Sequence, residues 1–210
     1  MIVVVDYGAG NLRSVANAFD AVGQPVTVSS DVRDLRAAAG IVLPGVGAFP
    51  DGMRRLHAAG VVDALTEEVQ GRGKPFLGIC LGMQFLADES AEGEGARGLG
   101  WIPGTVRRLE PKDPRFKVPH IGWNELALTR DGTLYADLGE EPVYYFVHSY
   151  HFAPSPDAGD VVTATCWHGE TFVASVERGN VFGVQFHPEK SQRVGLRILE
   201  NFVALVRAAA

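Results

Sequence analysis

One cysteine of this chain has the sequence setting of an enzymatic nucleophile. Residues 78–82 read Gly-Ile-Cys-Leu-Gly, after a short apolar run predicted as a buried strand and before a predicted helix. This is the G-x-nucleophile-x-G form of a nucleophile elbow, with Cys80 in place of serine. Such a turn is strained, has no room for side chains at 78 and 82, and places the sulfur at a helix N-terminus that favours the thiolate. The alternative is a buried structural cysteine between two glycines that allow close helix packing.

A histidine and a glutamate at the end of a later strand are suited to act as a base and its orienting acid. Residues 185–189 read Gln-Phe-His-Pro-Glu, and the proline ends the predicted strand. His187 and Glu189 then alternate onto the same side of an extended segment. Glu189 would hold one ring nitrogen and leave the other facing a sulfur, as a thiol nucleophile requires. The alternative is a surface histidine in a turn, with Glu189 helping to cap the final helix.

A glycine-rich turn follows another predicted parallel strand. Residues 44–47 read Pro-Gly-Val-Gly, and turns at the carboxyl edge of such a sheet direct backbone N–H groups into a shared crevice. The amides of Val46 and Leu81 are therefore candidates for an oxyanion hole. A tight turn without a ligand remains the alternative.

Other motifs in the sequence are incomplete. Residues 8–10 (Gly-Ala-Gly) begin a dinucleotide-binding fingerprint, but Arg13 stands where that fingerprint needs glycine. Residues 187–189 contain the H-x-E half of a zinc deaminase signature, and no P-C-x-x-C follows. His148 and His151 are expected on opposite faces of a β-rich segment, which argues against a shared metal ion.

Composition restricts the function classes. The chain has 210 residues with 46% hydrophobic and 21% charged side chains and a net charge of −6, which is globular and argues against a nucleic-acid or membrane-surface binder. Two cysteines are too few for a disulfide framework or a four-ligand zinc site, and Cys166 is expected as a small core residue. Residues 107–117 carry five basic against two acidic groups, for which a solvated loop is favoured over a phosphate site. With no signal peptide and no membrane-spanning segment, a cytoplasmic protein is expected.

The order of the elements predicts an α/β fold. In the first half, predicted strands alternate with predicted helices. The strands are at 2–6, 25–29, 41–43 and 75–79. The helices are at 11–22 (with Asn11 as the N-cap), after Asp31, within 51–71 and from 81 to about 88. In the second half, β-rich pieces at 105–109, 143–147, 161–167, 172–176 and 181–186 precede an amphipathic helix at 192–207. We therefore expect a single domain over 1–210. It should have a mainly parallel central sheet flanked by helices, with an antiparallel β extension in the second half.

These segments resemble a known family over essentially the whole chain. GICLGMQ around Cys80, QFHPEKS around His187 and Glu189, and the PGVG turn are similar to class I (triad) glutamine amidotransferases. Four further segments resemble one branch of that family, the glutaminase subunits that supply ammonia to a cyclase of histidine biosynthesis. They are DYGAGNLRSV at 6–15, LPGVGAFPDGM at 43–53, PHIGWNEL at 119–126 and YFVHSYHF at 145–152.

The resemblance implies a specific reaction. Glutamine would be hydrolysed to glutamate through a thioester at Cys80, with His187 as acid and base and Glu189 as its orienting partner. The ammonia would be channelled to a cyclase subunit with a (β/α)8-barrel fold, and the two subunits would form a heterodimer. The cyclase would use the ammonia to make imidazole glycerol phosphate and an aminoimidazole-carboxamide ribotide. No metal or organic cofactor is implied. By position, the glutamine-binding residues would be Gly47, Gln84, Ser149 and Tyr150, and the cyclase interface would include Asn11, Trp123, Tyr145 and Lys190.

The resemblance also implies coupling, in which the glutaminase stays slow until the cyclase binds its substrate. The Val46 peptide is a candidate for the switch, because a misdirected N–H leaves the oxyanion without a donor.

Two other functions remain open. The first is the glutaminase subunit of a pyridoxal-phosphate or aminodeoxychorismate system, and Lys190, the YGAGN start and the GWN segment argue against it. The second is a noncatalytic regulatory subunit, and the complete Cys–His–Glu set argues against that.

Overall fold

A computed structural model describes residues 1–138 and 143–209. Within these ranges the strands are β1 Ile2–Val5, β2 Val26–Ser29, β3 Gly40–Gly45, β4 Phe76–Cys80, β5 Glu89–Ser90, β6 Ala96–Arg97, β7 Gly104–Arg108, β8 His120–Glu125, β9 Ala127–Leu128, β10 Val143–His148, β11 Tyr150–Pro154, β12 Val162–Trp167, β13 Thr171–Arg178 and β14 Val181–Val184. The helices are α1 Leu12–Ala21, α2 Val32–Ala37, α3 Phe49–Ala58, α4 Val62–Thr66 with a π-helical turn at Glu67–Gly71, α5 Leu81–Gln84 and α6 Gln192–Ala209. Short 3₁₀ turns lie at Thr133–Tyr135, Pro156–Ala158 and Pro188–Lys190.

The central sheet of the described residues has the strand order β2-β1-β3-β4-β14-β13-β12-β9. The first five of these strands run parallel, and the last three continue the sheet in antiparallel pairs. Two smaller sheets, β11-β7-β5-β6 and β10-β8, are built from the middle of the chain. The predicted fold class, a mainly parallel sheet with an antiparallel extension in the second half, is confirmed.

The sheet is buried on both faces, as the β-branched run of β1 predicts. Val3 and Val5 pack into a core on the side of α3 and α4, whereas Ile2 and Val4 pack into a second core with α1 and α6. Because parallel strands end at the same edge, this arrangement brings the carboxyl ends of β3, β4 and β14 together. The register places the last residue of β3 opposite Cys80.

Several predicted boundaries were wrong. The helix predicted from 81 to about 88 ends at Gln84, because the carbonyls of Phe85 and Leu86 accept hydrogen bonds from residues 99, 101 and 102 instead of continuing the helix. The helix predicted within 51–71 is interrupted after α3, where Gly60 has a φ of 68°. Asn11 does occupy the N-cap of α1, but its side chain makes no capping hydrogen bond.

The strands β8 and β11 were missed by the sequence reasoning. Both are paired by backbone hydrogen bonds to strands distant in sequence. In the part of the chain that the structure describes, no helix is long and apolar enough to cross a bilayer.

Candidate active site

Cys80 lies at the junction of β4 and α5 in the strained turn that the sequence predicts. Its φ is 54°, a conformation that side-chain-bearing residues rarely adopt. A Cβ atom added at Gly82 would lie 1.8 Å from the carbonyl oxygen of Leu43, and one added at Gly78 would lie 2.5 Å from the carbonyl oxygen of Gly82. Both flanking glycines are therefore required by backbone contacts, and the turn holds the cysteine at the end of the sheet.

His187 and Glu189 form a buried pair beside the cysteine. The ring atom Nδ1 of His187 is 2.8 Å from Oε1 of Glu189, and both side chains are only 2% exposed. The backbone is fixed as well, since the His187 amide donates to the carbonyl of Tyr145 and the Ser191 hydroxyl donates to the carbonyl of His187. Because a carboxylate only accepts, Nδ1 carries a hydrogen, and Nε2 has no partner among the described residues. That nitrogen is free to exchange a proton with a reacting group.

The surroundings of His187 favour its protonated form. Burial lowers its pKa, but the negative charge of the nearby Cys80 sulfur, together with the hydrogen-bonded Glu189 carboxylate, outweighs burial and raises the pKa of His187 to about 10. A charged imidazole here stabilises a thiolate and is ready to protonate a leaving group.

Cys166, in contrast, is a buried core residue in β12, as predicted. Burial raises the pKa of the Cys166 thiol to about 12, so this sulfur is neutral at physiological pH and a poor nucleophile. Both cysteines are free thiols.

The cysteine and the histidine open into a cavity of about 480 Å³. Its wall includes every residue predicted for the oxyanion hole or for glutamine binding, namely Val46, Leu81, Gly47, Gln84, Ser149 and Tyr150. The sequence reasoning missed four further wall residues, namely Glu92, Pro119, Val147 and His148.

The loop after β3 comes very close to the elbow. A Cβ atom added at Gly45 would lie 2.9 Å from Cβ of Leu81, so only glycine lets the two segments meet. The next residues are Val46, which is 43% exposed, and Gly47, whose φ of 95° suits glycine. The peptides of Val46 and Leu81 are thus neighbours beside the sulfur, the position that an oxyanion hole needs.

Glu92 is the one acidic side chain in the described wall of the cavity. Its Oε2 accepts a hydrogen bond of 2.7 Å from the backbone amide of Phe49, which fixes the carboxylate at the cavity. A carboxylate in this position suits the ammonium group of a free amino acid. No motif marks Glu92 in the sequence.

A chain of amides connects the cavity wall to the sulfur. Nε2 of Gln84 donates to the carbonyl of Tyr150 at 2.8 Å and to Oε1 of Gln185 at 3.0 Å. Nε2 of Gln185 in turn donates to Sγ of Cys80 at 3.6 Å. Gln185 was not predicted as a site residue, although it lies two residues before His187 and so on the same side of the extended segment.

The four residues predicted for a partner interface lie on neighbouring elements. Trp123 on β8 stands opposite Tyr145 on β10, with ring centroids 6.0 Å apart. Nζ of Lys190 is 5.6 Å from the centroid of the Tyr145 ring, and α1, which begins after Asn11, packs against the Pro188–Lys190 turn. Trp123 is 49% exposed and Ile121 on the same strand is 60% exposed, so this surface is unusually apolar.

Two other predicted features are placed by the structure. In the basic stretch 107–117, Arg107 pairs with Glu170, and Arg115 pairs with Asp113. His148 and His151 are both buried, in different sheets. The described ranges contain no group of three His, Cys, Asp or Glu side chains placed to hold a metal ion.

Comparison with known proteins shows extensive similarity. The family model described as glutamine amidotransferase class-I matches residues 3–206. A protein of Moorella thermoacetica named imidazole glycerol phosphate synthase subunit HisH is 49% identical over 99% of this chain and 96% of its own length. A protein of the same name from Methanothermobacter thermautotrophicus is 48% identical, over 99% of this chain and all of its own length.

Solved structures share the fold. One described as a glutamine amidotransferase has a TM-score of 0.75 at 20% identity and covers 99% of this chain and 100% of its own. The structure of PurLQS from Thermotoga maritima has a TM-score of 0.72 at 21% identity, with 97% of each chain covered. At these identities the likeness concerns the fold alone.

Proposed function

This chain belongs to the class I glutamine amidotransferase family, and we propose that it is the glutaminase subunit of an imidazole glycerol-phosphate synthase. It hydrolyses glutamine to glutamate and delivers the ammonia to a partner cyclase in histidine biosynthesis. The observation that carries the proposal is the placement of Cys80 and His187 at one cavity, with Glu189 hydrogen-bonded to Nδ1 of His187, in a chain that matches HisH proteins along nearly its whole length. We propose that residues 1–210 act as one domain, and that the protein is cytoplasmic.

The proposed reaction follows the family chemistry. The Cys80 sulfur attacks the side-chain amide carbon of glutamine, and the resulting oxyanion accepts hydrogen bonds from the backbone amides of Val46 and Leu81. Removal of one such donor typically raises the barrier by about 2.7–4 kcal/mol. The C–N bond then breaks as His187 Nε2 gives its proton to the departing nitrogen, which leaves ammonia and a glutamyl thioester. A water molecule that loses a proton to His187 cleaves the thioester, and glutamate and the thiol are regenerated.

Substrate recognition is assigned to the polar groups of the cavity wall. Glu92 would pair with the α-ammonium group of glutamine, and Gly47, Gln84 and the Ser149–Tyr150 segment would hold the rest of the molecule. The amide hydrogens of Gln84 are already engaged, so its oxygen Oε1 is the atom available to accept a hydrogen bond from the substrate.

Replacing Glu92 with glutamine tests the ammonium assignment. Glu92→Gln keeps an acceptor for the Phe49 amide but removes the negative charge. A hydrogen bond between charged groups contributes about 1.5–3 kcal/mol, so KM for glutamine is expected to rise roughly 10–100-fold with kcat little changed. Steady-state glutaminase kinetics measure this, with Glu94→Gln in the same loop as the control. An unchanged KM would exclude Glu92 from substrate binding.

The partner surface is assigned to the exposed apolar face of β8 and β10. Val147 belongs both to this strand pair and to the cavity wall, and it stands opposite the exposed Ile121. A partner that covers Ile121 and Trp123 would therefore reach the cavity and keep released ammonia from being protonated in bulk water. We propose a (β/α)8-barrel cyclase as this partner in a heterodimer, with Tyr145, Lys190 and Asn11 at the border of the contact.

One experiment tests the proposed function as a whole. The tagged chain is used to capture its partner, and glutaminase activity is measured for the isolated chain and for the complex, with and without the cyclase substrate. We expect a barrel partner and glutaminase activity that rises when the cyclase substrate is bound, with the Val46 peptide as the proposed switch. Capture of a pyridoxal-phosphate synthase or an aminodeoxychorismate synthase would favour the other systems, and an inactive complex would favour a regulatory subunit. Equal rates for the isolated chain and the substrate-loaded complex would reject the coupling.

A further inference from the structure

Two buried histidines that the proposed reaction does not use lie in and directly behind the cavity wall. His120 in β8 and His148 in β10 are paired across the two strands, and Nδ1 of His120 is 3.1 Å from Nε2 of His148. Their exposures are only 3% and 7%. His148 belongs to the cavity wall, whereas His120 lies one step outside it.

The hydrogen-bond partners determine which ring nitrogen carries each hydrogen. Nδ1 of His148 is 2.9 Å from the carbonyl oxygen of Tyr150, and a carbonyl only accepts, so Nδ1 is the donor and Nε2 the acceptor. His120 must therefore donate from its Nδ1 to Nε2 of His148. Its own Nε2 then accepts from Nδ2 of Asn124 at 3.3 Å.

Asn124 is itself fixed in one orientation. Its Oδ1 accepts a hydrogen bond from the Glu125 amide, and its Nδ2 donates to the carbonyl of Trp167, both at 2.9 Å. An amide flip would place an oxygen against the Trp167 carbonyl. The hydrogen bonds therefore run in one direction: Asn124 donates to His120, His120 donates to His148, and His148 donates to the Tyr150 carbonyl.

This chain of hydrogen bonds meets the catalytic side at the carbonyl of Tyr150. The same oxygen accepts from His148 Nδ1 and from Nε2 of Gln84. The second hydrogen of that Gln84 amide binds Gln185, which donates to the Cys80 sulfur. The Tyr150 carbonyl is therefore the junction between the histidine pair and the amides that face the substrate.

We propose that His120 is a positioning residue for glutamine, acting through His148 and the Tyr150 carbonyl to hold Gln84 with its oxygen toward the cavity. The proposal rests on the proposed function, because it assigns Gln84 to substrate binding. A preorganised acceptor binds its ligand without the cost of ordering the side chain first.

The electrostatics of the pair support this role. Burial lowers the pKa of His120 to about 4 and that of His148 to about 3. Both rings are therefore neutral at physiological pH, and each has the one donor and one acceptor that the chain requires.

The chain offers a matched set of variants. His120→Phe keeps a ring of similar shape and removes the donor to His148, whereas His120→Asn retains a donor close to the place of Nδ1. His168 is the control, since its ring stacks on His120 with centroids 4.0 Å apart and its Nε2 bonds only to the carbonyl of Lys117 among the described residues. His168→Phe preserves the stacking and leaves the hydrogen-bond chain intact.

Glutaminase kinetics of the variants in complex with the captured cyclase test the proposal. His120→Phe is expected to raise KM for glutamine about tenfold, and kcat should stay within about threefold of wild type. A tenfold rise in KM corresponds to the loss of roughly one well-oriented hydrogen bond. His120→Asn and His168→Phe should keep KM within about threefold. A purely structural role would instead lower the amount of folded complex and leave KM of the remainder unchanged.

Three results would overturn the proposal. They are a wild-type KM in His120→Phe, equal impairment of His120→Asn and His120→Phe, and equal impairment of His168→Phe. If His120→Phe does not fold, the half-buried Asn124 replaces it in the test, since Asn124→Ala removes the donor to His120 and should still raise KM. An unchanged KM in that variant would also reject the proposal. A wild-type complex without glutaminase activity would instead reject the proposed function.

Discussion

Cys80→Ala is expected to abolish glutamine-dependent turnover of the complex while ammonium salts still support the cyclase reaction. Without the sulfur no thioester forms, and removal of a catalytic nucleophile commonly lowers kcat by roughly 10⁴-fold or more. The rest of the elbow should persist, because alanine at a φ of 54° is no more strained than the cysteine it replaces. Parallel assays with glutamine and with ammonium chloride measure the two activities.

The second cysteine is the natural control for this prediction. Cys166 lies in β12, away from the cavity wall, so Cys166→Ala should retain both activities. A glutamine-like electrophile such as 6-diazo-5-oxo-L-norleucine should label wild-type protein and Cys166→Ala but not Cys80→Ala. Loss of both activities in an intact Cys80→Ala complex would contradict the proposed division of labour between the subunits.

The sequence was most informative where the structure depends on local patterns. The strand run before Cys80 and the spacing of the glycines around it predict an elbow, because the turn itself is formed by only five consecutive residues. The same holds for His187 and Glu189, whose relative position is set by two residues of extended chain and a proline. The proposed triad could therefore be predicted without knowledge of the fold.

The missed features depend on contacts between distant segments. Glu92 belongs to the site because its carboxylate meets the start of α3, and His120 gains its partner through the pairing of β8 with β10. The early end of α5 has the same origin, since the carbonyls of Phe85 and Leu86, directly after the helix, accept hydrogen bonds from residues 99, 101 and 102. Such partners leave no periodicity or spacing in the sequence, which explains why the elements of the parallel half were predicted better than the cavity wall.

Gly82→Ala is expected to destabilise the protein and to inactivate it at the same time. The added Cβ would lie 1.8 Å from the Leu43 carbonyl oxygen in the middle of the sheet, so no side-chain rotation relieves the clash. The start of α5 must then move away from β3. Overpacking of this kind costs up to about 3 kcal/mol, which for a chain of this size corresponds to a decrease in Tm of roughly 6–12 °C.

The loss of activity should exceed what this destabilisation explains. Leu81 and Val46 both belong to the cavity wall, and a shift of about 1 Å between catalytic groups can lower the rate about 100-fold. Thermal unfolding and glutaminase kinetics at a temperature where the variant is folded separate the two effects. Gly71→Ala is the matched control, because a Cβ there meets nothing within 4 Å, and it should leave Tm and kcat unchanged. A Gly82→Ala variant with wild-type Tm and kcat would show that the elbow tolerates a side chain at residue 82. It would contradict the view that the close approach of α5 to β3 positions Cys80.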